Sequence, residues 1–513
     1  MATDRTAWIA VPAAAPLLLW PAAWNGFPIV FADTGTYLSQ AIDRYAGWDR
    51  PVFYSLFMLP LHLTVTLWPV VVAQALLAAW VVWVVCRVLV PWMSPGLFVG
   101  LVGVLSVCTW LPWLVCELMP DLFTPLLVLV LGLLAWSPER LSRGEQVVLA
   151  GLTALMIASQ QSSLPLAGVL LAVLVVGRWG VRTGRVPKRR VPGGRFPHVS
   201  DRGLVRFRHV SWWGLVRVPH ASWPGLARPS TPCNADVGKV VDGRAKPGHD
   251  TFIGRETFIR YWLLIVIPPA LAVVGLCSVN LAAHGRFAVS PFGNIFLLAR
   301  VIYDGPGMAV LRADCPAAHW RLCPFVDDFP PQSDDFLWTH DSPLNRAGGP
   351  KMVSQEAGAI IAAALRADPI GEARAALANT LEQMTLFASG DGLNPWVAQV
   401  SPVMAQDFPV REQAAYASAR QQAGTLSVPP PIARLHVIVA LAGVVACVLL
   451  LPVALCRGNA CSGLLLAVLL ALPVSAAITG ALSGPHDRYQ ARIMWLPPFV
   501  AAVSGAALHR RAA

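Results

Sequence analysis

The chain has 513 residues, 56% of them hydrophobic and 13% charged, with 20 tryptophans and a mean hydropathy of +0.57. Soluble domains carry about 25% charged residues, so the composition excludes an ordinary soluble enzyme and points to a polytopic membrane protein. The formal charge of +11 is concentrated: residues 178–255 hold 16 Lys and Arg against 4 Asp and Glu, and the rest of the chain sums to −1, which excludes a nucleic-acid-binding surface over its body.

Apolar runs of about 20 residues read as bilayer-spanning helices, because backbone groups in lipid must be satisfied within their own segment. The first run, 7–24, has only Arg5 before it and no small-x-small cleavage site after it, so it reads as an uncleaved anchor. The loop that follows, "NGFPIVFADTGTYLSQAIDRYAGWDRPVFYSLF" (25–57), sets Asp33, Asp43 and Asp49 among aromatics. Residues 51–67 are apolar but interrupted by Pro60 and His62, and read as a re-entrant or interfacial helix. Further spans are expected at 69–90, 95–115, 121–137, 146–159 and 163–178. Glu117 and Asp121, in "CELMPDLF", join the third and fourth spans, and "QQSS" at 160–163 joins the fifth and sixth. Residues 1–178 thus form an N-terminal transmembrane region.

Residues 179–258 are basic and repetitive. "SDRGLVRFRHV", "SWWGLVRVPHA" and "SWPGLARPS" begin 11 residues apart, at Ser200, Ser211 and Ser222. Such a period is too short for a solenoid unit. The tail "VDGRAKPGHD" resembles peptides encoded by repeats scattered through some bacterial genomes, which makes this a disordered in-frame insert. A tether to anionic lipid or nucleic acid is the weaker alternative.

A span at 261–279, within the segment 259–279, leads to the one long polar stretch, 280–433, with 10 Lys and Arg against 14 Asp and Glu. It reads as a mainly helical soluble domain, with two helices broken near Asp368-Pro369. Cys315 and Cys323 in "DCPAAHWRLC" can close a small disulfide loop in an oxidising compartment, the alternative being two free thiols. The aspartates of "DDFPPQSDDFLW" match no calcium-loop spacing and suit a solvated loop. The C-terminal transmembrane region, 434–513, has spans at 434–456, 462–482 and 491–508, and "GPHDRYQAR" before the last one carries His486, Arg488, Tyr489 and Arg492.

With ten spans, Arg87, Arg140, Arg143, the arginines after 178, Arg457, Arg510 and Arg511 all fall on one face, expected to be cytoplasmic along with both termini. Asp33, Glu117, Asp121, His486, Arg488, Tyr489 and Arg492 then fall on the opposite, outer face. Ionisable groups near membrane depth mark a pathway or a site, although short solvated loops also carry charges.

The order of these features resembles the GT-C superfamily of polytopic glycosyltransferases, which use polyprenyl-phosphate sugars. The likeness rests on "FADTGTYL" after the first span, "RPVFYSLF" before the second, "ELMPD" before the fourth and the Arg488-Tyr489 pair before a late span. It covers about 1–178 and 434–513. It implies an all-α fold of about ten transmembrane helices in a bacterial inner membrane. It also implies transfer of a sugar from a lipid-linked donor to an extracytoplasmic acceptor. Asp33 would be the general base, and Glu117, Asp121, His486, Arg488, Tyr489 and Arg492 would bind substrate. No paired acidic motif follows the first span, so no metal ligand is named, and a divalent cation is the one cofactor left open. No nucleic-acid partner is expected. A transporter or flippase of a lipid-linked or polar solute, and a non-catalytic membrane scaffold, are the alternatives.

Overall fold

The structure is a computed structural model that describes residues 6–182 and 249–509, so residues 183–248 of the insert expected at 179–258 lie outside the described residues. The larger compact unit comprises Met1–Lys188 and Phe258–Ala513 and holds every residue discussed below. Its named elements are all helices. Among the described residues, six are long and apolar enough to cross a bilayer: Ala7–Asn25, Trp68–Leu89, Ile259–His284, Pro430–Cys456, Cys461–Leu482 and Asp487–His509. A seventh is reached if Gly293–Tyr303 and Pro306–Cys315, bent by 91°, count as one span. The apolar helices Pro95–Cys108, Pro120–Trp136 and Ser163–Trp179 are shorter. The chain is an α-helical, multi-pass membrane protein.

The ten runs expected to cross are helical over most of their length, but not all are single rods. The run 95–115 breaks at Thr109 and resumes as Leu111–Cys116. The run 146–159 begins earlier, at Arg143, because Ser142 and Glu145 form a reciprocal capping box there. Phe53–His62 has only ten residues, about 15 Å of helix, which is too short to cross.

Phe123–Trp136 is buried along its whole length. A helix apolar all round belongs at the centre of a bundle, and the neighbouring helices pack on it through small residues. At Gly132 a Cβ would lie 2.7 Å from Leu464, and at Gly463 it would lie 2.1 Å from the Trp136 ring. Close approach of backbones through glycine is how helices associate where lipid supplies no hydrophobic drive. The same device joins Pro430–Cys456 to Leu496–His509, where a Cβ on Gly443 would lie 2.3 Å from the backbone nitrogen of Pro498.

The bundle has two chemically distinct ends. At one, Arg87 pairs with Glu145, Arg178 with Glu139, and Arg140 and Arg457 donate to the carbonyls of Val88 and Leu508. At the other, the first loop is stitched to the turn before Phe123–Trp136. Ile29 N donates to Cys116 O at 2.9 Å and Leu118 N to Ile29 O at 2.8 Å.

The stretch 280–433 does two jobs. Residues between Ile295 and Ala364 form a separate apolar core around Phe336, Leu344 and Ile360, and Cys315 and Cys323 are disulfide-bonded within that part. Gly349–Ala367 faces this core, whereas the next helix, Pro369–Thr385, capped by Asp368, packs on Cys461–Leu482, where a Cβ on Gly480 would lie 2.5 Å from Asn379 O. Leu393, Val400, Met404, Phe408 and Tyr416 instead join the core of the bundle.

Replacing Gly443 by Ala forces a methyl against a backbone atom that cannot rotate away. The expected loss is about 1–3 kcal/mol, read as a lower Tm of the purified protein in detergent; an unchanged Tm would show that the two helices are not packed this closely.

Candidate functional site

Four segments distant in sequence meet at the end of the bundle that carries the first loop. Asp33 stands in the first turn of Ala32–Ile42, a helix fixed at its start by Thr34. The Thr34 hydroxyl accepts from Phe31 N at 2.8 Å and donates to Leu118 O at 3.1 Å. Arg50 Nη2 lies 2.9 Å from both Asp33 oxygens, and its guanidinium stacks 5.3 Å from the Trp338 ring centroid.

The second segment is the turn 116–122. Gln74, from within the span Trp68–Leu89, donates to the carbonyls of Val115 and Glu117, and Tyr54 donates to Gln74 at 2.8 Å. This network holds the turn from below and leaves its two carboxylates to the site. Asp121 is met by Arg492 Nη1 at 2.8 Å, with side-chain exposures of 7% and 1%. Burying both charges is costly unless they pair, so this contact fixes the last span against the central helix.

Arg488 and Arg492 are successive turns of the fourth segment. The Arg488 guanidinium lies 4.0 Å from the Phe31 ring centroid and 5.1 Å from that of Tyr489, and its backbone N donates to Asp391 at 3.0 Å. Arg488 Nη1 and Arg492 Nε are buried donors with no acceptor among the described residues. Asp391 arrives on the third segment, next to Gly392, whose φ of +91° brings backbone against both Phe31 and Glu117. A Cβ there would lie 2.9 Å from the Phe31 ring and 3.6 Å from Glu117 Oε1.

Burial pushes the Glu117 carboxyl up to about 8; Asp121, Asp391 and Asp33 push the same way, and Arg488 opposes them. Burial likewise raises the Tyr37 phenol and the Asp49 carboxyl, both beside Arg50.

The structure therefore brings together Asp33, Glu117, Asp121, Arg488 and Arg492. Tyr489 sits at the rim, 5.5 Å from the Arg492 guanidinium. His486 packs edge-on against Tyr489 with ring centroids 5.5 Å apart; its ring also lies 3.5 Å from Asp334, and its backbone is held by the Gln383 side chain. Gln160 of the "QQSS" turn accepts from Thr124 and neighbours Asp121. Arg50, Phe31, Asp391 and Gly392 were not singled out from sequence. The signal for Arg50 was faint, a lone arginine between Asp49 and Pro51. Among the described residues no three His, Cys, Asp or Glu side chains converge as a metal site. The carboxylates present alternate with arginines, a donor set unsuited to a divalent cation.

The fold and this cluster define the class: a multi-pass α-helical membrane protein with a buried, ion-paired site at one end of its bundle. No family model, no curated protein and no solved structure matches the chain.

Two outcomes follow from the charges. Arg492→Met strands the Asp121 carboxylate in the core and is expected to cost about 3–5 kcal/mol, whereas Arg492→Met with Asp121→Leu recovers most of that; equal Tm losses for the single and double variants would show the pair is not the lock described. Glu117 holds its proton in the folded state up to about 8 but ionises near 4.5 when unfolded. Stability from this group is thus complete below about 4.5 and is lost as the pH rises towards 8. Glu117→Gln should flatten the fall in Tm across that window, and an identical pH profile in the variant would refute the burial of this carboxyl.

Proposed function

We propose that the chain is a membrane glycosyltransferase of the GT-C-like type, moving a sugar from a polyprenyl-phosphate donor to an acceptor on the outer side of a bacterial inner membrane. In this reading all ten helical runs cross or enter the bilayer, the basic end faces the cytoplasm with both termini, and the clustered end faces outward. The observation that supports the reading is the pair of buried guanidinium donors without an acceptor among the described residues, Arg488 Nη1 and Arg492 Nε, beside three carboxyl groups.

The chemistry assigned to the site is inversion at the anomeric carbon. Asp33 accepts the proton of the acceptor hydroxyl, which takes over one of the two contacts now made by Arg50. The hydroxyl oxygen bonds to the anomeric carbon as the bond from that carbon to the phosphate oxygen breaks. The bond electrons leave with the polyprenyl phosphate, whose growing negative charge is met by Arg488 and Arg492. Phe31 and Tyr489 hold the Arg488 plane in place. Glu117 and Asp121 line the sugar side, Asp121 acting through its hold on Arg492. Tyr489 orients the sugar or phosphate from the rim, with His486 packed edge-on against it.

In a deletion strain complemented with Asp33→Asn, the expected result is loss of an outer-surface glycan and accumulation of its polyprenyl-phosphate sugar, seen by mass spectrometry. Removing a general base lowers the rate by roughly 10²–10⁴. Full restoration by a variant made at normal level would remove Asp33 from the chemistry.

A further inference from the structure

The helix Pro369–Thr385 has its apolar side turned outward. Of its 17 residues only Gln383 is buried. Its large aliphatic side chains, Ile370, Leu377, Leu381 and Met384, are between 43% and 63% exposed. They recur at intervals of 7, 4 and 3 residues and so form one continuous stripe. The preceding helix of the same stretch, Gly349–Ala367, does the opposite and buries Val353, Ala357, Ile360, Ile361 and Ala364.

The side that faces the protein is small and polar. It packs on Cys461–Leu482 close to the end of that span, where a Cβ on Gly480 would lie 2.5 Å from Asn379 O and 3.1 Å from Gln383 Cβ. Asn379 donates to Asp304 at 3.0 Å. Gln383 donates to His486 O at 2.8 Å and accepts from His486 N at 3.0 Å. Small residues that let backbones approach and polar side chains that bond across helices, with aliphatic residues outward, are how helices pack in lipid. The span Pro430–Cys456 exposes Ile438, Val445 and Leu449 in the same way.

The borders of the stripe are unequal. One flank carries the exposed Arg374 and Glu382, the other only Ala373 and Thr380. An apolar stripe bordered by charge is the pattern of a helix at the membrane–water boundary, with aliphatic chains among acyl chains and charged groups at headgroup level. Protein interfaces are enriched in aromatic anchors, and Pro369–Thr385 contains no Phe, Tyr or Trp.

We infer that Pro369–Thr385 is an interfacial helix whose stripe of Ile370, Leu377, Leu381 and Met384 is covered by lipid acyl chains of the leaflet at the clustered end of the bundle. This part of the polar stretch is then seated in the membrane rather than in a solvated domain. Through Gln383 the lipid-seated helix grips the backbone of His486, and so steadies the loop that leads into Arg488. The inference does not depend on the glycosyltransferase reading.

The test places the photo-cross-linker benzoylphenylalanine at Leu377, at Leu381 or, as a control exposed on Gly349–Ala367, at Lys351. The full chain is irradiated in nanodiscs of phosphatidylethanolamine and phosphatidylglycerol, and adducts are read by mass spectrometry. Lipid adducts at both leucine positions and none at Lys351 are expected. No lipid adduct at either leucine, or an equal yield at Lys351, overturns the inference by placing the stripe in water. A cross-linked dimer in place of the lipid adducts overturns it by assigning the stripe to a second copy of the chain. The second measurement is the Tm, in the same nanodiscs, of the double variant Leu377→Gln with Leu381→Gln, which removes little packing inside the protein. A lower Tm is expected, because glutamine among acyl chains loses its hydrogen bonds to water. An unchanged or higher Tm, the ordinary result for an exposed leucine in water, contradicts the lipid seat.

Discussion

The ion pair between Arg492 and Asp121 is the constraint on which the rest of the site depends. Two charges taken out of water repel every arrangement but one in which they touch, and here they touch at 2.8 Å with almost no solvent on either. Once that contact is made, the start of the last span cannot slide or rotate against the central helix. Arg488, one turn earlier, is then delivered onto Phe31, and Phe31 is itself positioned by the backbone pairing of Ile29 with Cys116 and Leu118. A pair like this adds less to stability than an apolar contact of the same size would. Its value is that it specifies a single geometry.

A second layer keeps the first loop from moving. Gln421 donates to the carbonyls of Val30 and Asn394 and accepts from Val30 N, while its own backbone N donates to Asn25. Tyr416 packs edge-on against Phe27, and Phe31 against Trp396. The segment 386–428 therefore works as a clamp on the loop that carries Asp33. The part around Phe336 and Ile360, with its own core and disulfide, meets the neighbourhood of the site through Trp338 under Arg50, Trp48 between Phe296 and Trp338, and Asp334 beside His486. A rigid clamp with a semi-independent neighbour is an arrangement that can hold charges still while an acceptor approaches from the polar side.

Much of the helical framework was legible in the sequence, because lipid permits a backbone little else: Trp68–Leu89 and Cys461–Leu482 begin and end within one residue of their apolar runs. The gathering of Asp33, Glu117, Asp121, Arg488 and Arg492 at one end was also legible, since counting spans places alternate loops together. What sequence could not supply was pairing. That Arg50 holds Asp33 depends on how a 17-residue excursion folds back, and that Asp391 reaches Arg488 depends on the positive φ of Gly392. His486 reaches the cluster one ring removed: it packs edge-on against Tyr489, whose ring lies 5.1 Å from the Arg488 guanidinium. The 280–433 stretch was read as one domain because hydropathy records polarity and not which core a residue joins.

The most direct measurement is the binding of a short-chain polyprenyl phosphate to the purified protein in nanodiscs, followed by tryptophan fluorescence, for wild type, Arg488→Met and Arg140→Gln. If the site is built to receive a lipid phosphate, wild type and Arg140→Gln bind saturably with similar affinity. Arg488→Met, which keeps the stacking bulk but loses the charge, binds at least tenfold more weakly. Equal binding by wild type and Arg488→Met would contradict the assignment of this cluster to a lipid-phosphate donor.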